Sequence, residues 1–304
     1  IPVTVLPYPT FLIIGAMKSG TSALYTYLDQ HPEVYMSPVK EPNFFAFEGD
    51  TLDFRAPIDD RGINRQSITD LERYLQLFED GDDCRARGEA SHWYLYWPKA
   101  PIRIQHHIPE VQLVAILRSP VERAYSEYLH FVRDGSEPLG DFGAALDAED
   151  ERMRKHWAMG RYIDRGFYYR QLKRYIDRFD REQLKIYLHE DLRADSQALM
   201  KDLYEFIGVD PAFTPDVSVR PNPSGVPQNE WMHKLLHPSG PLQKRLIQKL
   251  PQWLRDIGRN LRNQNLQKPP LRPEHRERLI EIYREEILQL EDLIDRDLSG
   301  WLRT

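Results

Sequence analysis

The sequence predicts a three-layer α/β fold, a central and mostly parallel sheet flanked by helices, and two stretches carry most of that expectation. Phe11–Ile14 and Val111–Leu117 are short β-favouring runs with no polar alternation, the pattern of strands buried on both faces of a parallel sheet. Each runs into small or charged residues and then into a helical pattern, the alternation that βαβ units require. The apolar stretch Leu184–Leu188 followed by a helix repeats the theme.

The first strand breaks at Gly15, and Gly15–Ala16–Met17–Lys18–Ser19–Gly20–Thr21–Ser22 supplies small residues through which backbone amides approach an anion. From Ser22 on, Leu24, Tyr27 and Leu28 keep helical spacing, so the loop delivers its anion to a helix N-terminus. Gly15 and Gly20 have the separation of the nucleoside-triphosphate loop, which makes this a nucleotide-loop type of fold. The lysine, however, precedes the second glycine, and Thr21 stands where that loop has it. A γ-phosphate and its Mg²⁺ are therefore not expected.

Composition bounds the rest. The 304 residues, 41% of them hydrophobic and 29% charged, are enough for one large core, so 1–304 is read as a single domain. Helical insertions at about 134–165 and 230–270 are expected to form a lid over the site. A formal net charge of −6 and the lack of a long basic run argue against nucleic acid or anionic membrane as a partner. The one cysteine, Cys84, excludes an intrachain disulfide and a cysteine zinc site, and favours a reducing compartment. No apolar stretch nears the roughly 20 residues that span a bilayer, and no signal-peptide pattern opens the chain. A soluble, cytoplasmic protein is expected, whether as a free enzyme or as a domain cut from a longer one.

Taking the chain in order, His31–Met36 ends in a second strand and leads to Pro38–Val39–Lys40–Glu41–Pro42–Asn43–Phe44–Phe45. Pro42 disfavours helix at Glu41, which puts that carboxylate in an extended turn near the strand carboxyl ends, where open α/β sheets place their sites. A carboxylate among aromatics there suits a general base; a surface Lys-Glu pair is the plainer alternative. Thr69 or Asp70 caps a helix. Arg87–Leu95 is a short strand running into a turn that holds His92, either a second acid/base or a hydrogen-bonded structural histidine. Pro101–His107 is helical. After Leu117 come Arg118 and a helix opened by Pro120, which brings Arg118 and Ser126 toward a common anion. Phe142–Arg161 reads as one amphipathic stretch, Phe167–Phe179 and Leu199–Ile207 as helices, and Pro273–Trp301 as a long amphipathic helix packed on the sheet.

Lys18–Ser19–Gly20–Thr21–Ser22 resembles the 5′-phosphosulfate loop, Lys-x-Gly-Thr-Ser/Thr, of the sulfotransferases that use 3′-phosphoadenosine 5′-phosphosulfate (PAPS). Lys-Glu-Pro-x-Phe-Phe at 40–45 is similar to the next segment of the heparan-sulfate-type and related bacterial members, including those associated with polyketide synthases. Arg118-x-Pro-x-x-Arg-x-x-Ser126-x-Tyr resembles the family's 3′-phosphate motif. The resemblance implies PAPS as cosubstrate, with 3′,5′-diphosphoadenosine (PAP) as product and no metal. Lys18, Ser19, Gly20, Thr21 and Ser22 then hold the 5′ end, Arg118 and Ser126 the 3′-phosphate, and Arg123 is structural. Glu41 falls on the family's base and is expected to be the principal one, with Lys18 and His92 as further catalytic residues.

The chain departs from the pattern in two places. Ala90 stands where the family's Glu-Lys-Ser/Thr-Pro segment has its lysine, and His92 where it has proline. Arg220–Pro227 only weakly matches the loop over the 3′-phosphate, giving Ser224 and Gly225 as binding residues with Arg220 as a substitute cation. The implied reaction moves a sulfonate to an acceptor hydroxyl. The expected acceptor is the β-hydroxyl of an acyl chain tethered to an acyl carrier protein, followed by a carbohydrate or small-molecule hydroxyl. A nucleotide kinase and a nucleotide-binding regulatory module are the alternatives from other classes.

Overall fold

The computed structural model describes residues 7–56, 61–218, 225–227 and 266–304. Five strands, β1 (Phe11–Gly15), β2 (Val34–Met36), β3 (Ala86–Ala90), β4 (Gln112–Leu117) and β5 (Leu184–Leu188), form one sheet in the order β2-β3-β1-β4-β5. Every pairing within it is parallel. The apolar runs are continuous because both faces are covered. Leu12 and Ile14 point into one core with Leu113, Ala115 and Leu117, while Phe11 and Ile13 join Val114 and Ile116 in the other.

Helices Thr21–Leu28 and Ser196–Ile207 cover the second face through Leu24, Leu28, Leu199 and Leu203. Helices Ala100–His107, Pro120–Arg133, Tyr168–Ile176 and Pro273–Ile294 cover the first, the last through Leu279, Tyr283, Ile287 and Leu290. Strand spacing leaves no room for a side chain at Gly88 of β3, since a Cβ there would lie 2.2 Å from the Phe11 ring. Asp70 does cap its helix, accepting the Arg73 N–H at 2.9 Å.

The chain leaves central β1 toward β2 and β3 and then returns to β4 on its other side. β1 is thus the topological switch point, and the crevice at its carboxyl end is where such sheets bind ligands.

Phe142–Arg161 is not one amphipathic helix but two short ones, Phe142–Asp147 and Glu149–Arg154. Phe142 packs on Tyr125 and Tyr128, with ring centroids 5.2 and 5.1 Å away, and buried Arg152 pairs with Glu137 at 2.7 Å. These contacts tie the 134–165 insertion to helix Pro120–Arg133, and none of its residues lies on the wall of the cavity described next. Most of the insertion expected at 230–270 lies outside the described residues, as do Arg220 and Ser224.

Candidate functional site: a cationic cavity at the end of β1

A cavity of about 760 Å³ opens at the carboxyl end of β1. Lys18, Gly20, Thr21, Ser22, Glu41, His92 and Arg118 all line it, so the structure brings together residues that follow four different strands, β1 to β4. Lys40, His130, His189, Arg193 and Lys268 complete the polar wall. Among the described residues, five lysines and arginines there face a single carboxylate, Glu41.

The loop's shape explains its glycines. The Ala16 N–H donates to the Ile116 carbonyl at 2.8 Å, anchoring the turn to β4. Gly20 has φ of 122° and leads into helix Thr21–Leu28, and a Cβ there would sit 2.9 Å from Leu192. The turn therefore closes against the helix that follows β5, and the first-turn amides of Thr21–Leu28 stand at the cavity.

The electrostatics are those of a site built for anions. Burial, followed by the charge of Arg133, lowers Lys18 to about 8. Burial and the Lys18 charge bring His130 down to about 4; burial and Arg118 do the same to His189. Arg118 is lowered as well, chiefly by burial. Its guanidinium donates to the Lys18 carbonyl at 3.3 Å and faces Glu122 at 3.6 Å. Glu122 also binds Lys268 at 2.9 Å and Arg276 at 2.5 Å, and these partners hold it at about 2 although burial opposes them.

At the other end, Glu41 Oε1 accepts Lys40 Nζ at 3.1 Å and meets His92 Nδ1 at 3.2 Å. Burial alone would raise this carboxyl, but the charges and hydrogen bonds of His92 and Lys40 outweigh it and hold Glu41 well below the usual carboxylate range. Lys40 Nζ also reaches Ser22 Oγ at 2.9 Å, which joins the anion loop to the carboxylate. Glu41 and Asn43 both have left-handed backbone, φ 61° and 56°, around Pro42.

Some expected residues are not on this wall. Ser19 is fully buried and its hydroxyl turns back to the Met17 carbonyl at 3.4 Å, leaving its backbone as its contribution to the loop. Ser126, on helix Pro120–Arg133, is also fully buried and off the wall. Arg123 is structural as expected, sealed at 0% exposure and paired with Glu127 at 2.5 Å. Gly225 is buried and off the wall, just ahead of the short strand Val226–Pro227 that runs beside helix Pro120–Arg133. Sequence reading missed Lys40 as a bridge, along with His130, His189, Arg193 and Lys268. His189 alone had a local signal, since it follows β5 directly as Arg118 follows β4. Among the described residues no group of side chains has the makings of a metal site, and no helix is long and apolar enough to cross a membrane.

Comparison with known proteins agrees with this geometry. A crystal structure of a sulfotransferase from Alicyclobacillus acidocaldarius is 34% identical, with a TM-score of 0.76 over 97% of this chain and 99% of that one. The mouse bifunctional heparan sulfate N-deacetylase/N-sulfotransferase 4 is 28% identical over 218 residues, and human carbohydrate sulfotransferase 15 is 25% identical over 248. Each match covers 67% of this chain, which spans 23% and 44% of the lengths of those two proteins. The sulfotransferase domain of the Synechococcus PCC 7002 olefin synthase, 14% identical with a TM-score of 0.50, shares the fold. A family model described as the sulfotransferase family matches residues 9–215, which include the anion loop, Glu41, His92 and Arg118. With the β1 loop, the arginine at the end of β4 and the shared fold all in agreement, this chain belongs to the PAPS-dependent sulfotransferase family.

Proposed function

We propose that this protein transfers the sulfonate of PAPS to a hydroxyl of a carbohydrate acceptor. The observation that carries the reading is the cavity wall, where five fixed cations face one carboxylate and that carboxylate is engaged by an imidazole. The donor is a polyanion, and Lys18, His130 and His189 are depressed by burial and by the cations beside them, a crowding of positive charge that suits such a ligand. Bound there, PAPS supplies an activated sulfonate.

Lys18 and the amides at the start of helix Thr21–Leu28 hold the 5′-phosphosulfate end and take up the charge that grows on the leaving phosphate. Arg118 holds the 3′-phosphate, with Ser126 of helix Pro120–Arg133 and Gly225, just ahead of strand Val226–Pro227, as supporting residues. The roles of the second pair follow from its hydrogen bond. Glu41 is kept ionised, which makes it a weak proton acceptor but a good anchor for His92 Nδ1. His92 Nε2 then takes the proton of the acceptor hydroxyl, and Glu41 stabilises the imidazolium formed. This gives the imidazole the part that sequence alone assigned first to Glu41.

The acceptor class rests on sequence relatives, whose names place them on heparan sulfate and carbohydrate. An acyl chain on a carrier protein, the first expectation from sequence, has support from a likeness of fold alone. Mass spectrometry of an acceptor library with PAPS present tests the whole reading. Mass gain of a sulfonate on oligosaccharides is expected. Gain only on carrier-bound β-hydroxyacyl chains would overturn the acceptor, Mg²⁺-dependent phosphorylation from ATP would overturn the donor, and PAP binding without any turnover would overturn the enzyme.

A further inference from the structure

Glu89, near the end of β3, is completely buried and takes no part in the chemistry above. Its carboxylate accepts the hydroxyls of Tyr94 at 2.5 Å, Ser91 at 2.8 Å and Tyr74 at 3.2 Å. Among the described residues no lysine, arginine or histidine pairs with it, and the charge that figures among the main influences on it is another carboxylate, Glu41, which raises it further. Burial pushes Glu89 up to about 7 in spite of the three hydroxyls. A carboxyl sealed without a cation is costly to keep, and an apolar side chain would fill the same space more cheaply.

The bonds that continue from it show what it fixes. Ser91 has one hydroxyl proton and gives it to Glu89, so its lone pairs are left to accept, and they take the Asn43 N–H at 3.1 Å. One residue away, the Glu41 N–H donates to the Ala90 carbonyl at 3.0 Å. The turn Glu41–Pro42–Asn43, left-handed at both ends, therefore hangs from residues 90 and 91 by two hydrogen bonds. Left-handed backbone at non-glycine residues persists only where its surroundings impose it. His92 follows Ser91 directly, so both members of the Glu41–His92 pair are placed by one short segment.

We propose that Glu89 is a positioning residue for the reaction: acting through the Ser91 hydroxyl, it holds the Glu41–Pro42–Asn43 turn in the one orientation that sets Glu41 against His92. The inference rests on the reading of that pair as the proton-handling group, and two separate readouts keep them apart. The first is the His92 imidazole N–H signal in proton NMR of the PAP complex, identified as the signal absent from His92→Asn. The second is kcat with PAPS and the acceptor found in the library, set against the calorimetric Kd for PAP.

Glu89→Gln and Ser91→Ala are each expected to move the His92 signal upfield or broaden it away. Both should lower kcat by about 10²-fold, the scale of an ångström's misplacement, while leaving PAP affinity unchanged. The double variant should be no worse than either single one, since both cut the same chain of bonds. An unmoved His92 signal in a folded variant overturns the proposal; so does a parallel loss of PAP affinity and kcat, which marks general loosening of the site. If Glu89→Gln does not fold, Ser91→Ala decides alone. Wild-type protein that fails to bind PAP would instead sink the functional reading and leave the hydrogen-bond chain standing.

Discussion

Because Lys18 sits at about 8 in place of its ordinary 10.5, anion binding at the β1 loop is expected to draw in protons. The gap is about 2.5 pH units, worth about 3 kcal/mol at about 1.4 kcal/mol per unit, and a dianionic phosphate against the ammonium repays up to that amount. At pH 8 about half of the unliganded molecules carry an uncharged Lys18, so PAP binding should take up about half a proton per site; above pH 9 the uptake should approach one, and Kd should then rise about tenfold per pH unit. Titration calorimetry in buffers of different ionisation heat measures this uptake directly, above the range where the phosphates themselves titrate. Lys18→Met should bind PAP more weakly near neutrality and take up no proton between pH 8 and 10. The same shift sets a stability window. The folded chain holds Lys18 protonated less readily than the unfolded chain does, so the unfolded state binds more protons between pH 8 and 10.5, and the unliganded wild type should gain stability relative to Lys18→Met as pH rises through that range. Undiminished proton uptake in Lys18→Met would refute the reasoning.

Arg118→Ala should weaken PAP binding far more than 5′-AMP binding in calorimetry, since only PAP carries the 3′-phosphate; equal losses would give Arg118 another role. His92→Asn should lower kcat by the 10²–10⁴-fold that a general base contributes and remove the acid limb of the rate–pH profile, whereas Glu41→Gln should lower kcat but keep a limb; the reverse pattern would return the base to Glu41. Arg123→Met leaves Glu127 paired, among the described residues, with Arg165 at 2.6 Å, and should cost about 3 kcal/mol in denaturant unfolding. A change near zero would show that Arg165 alone satisfies that carboxylate.

Much of the site was legible because its chemistry is local. The anion loop lies within eight consecutive residues after β1, and Arg118 lies directly after β4, so strand pattern and residue type suffice to find them. What sequence could not give is set by tertiary packing. Lys40 read as a neighbour of Glu41, but its bond to Ser22 exists only because the β2 and β1 loops converge. Ser126 fell in the expected motif, and only the packing around its helix decides that it is buried. The lowering of the Glu41 carboxyl comes from His92 and Lys40 together, and no spacing rule predicts how far two such partners depress a buried carboxylate. His130, Lys268 and the pair His189 and Arg193 arrive from three distant segments. Helix Phe142–Asp147, in the 134–165 insertion, is held on its neighbour by Tyr125 and Tyr128, contacts between aromatic residues that sequence spacing does not pair.

The order β2-β3-β1-β4-β5 has one more consequence. The donor loop, the His92 turn and Arg118 hang from the ends of β1, β3 and β4, three strands laced side by side by main-chain hydrogen bonds that do not depend on side-chain identity. Their mutual spacing is therefore insensitive to substitution in the outer segments. A lineage carrying this sheet is free to rewrite the surfaces that meet an acceptor while the sulfonate-handling geometry stays fixed, so divergence in what is sulfonated need not disturb how it is done.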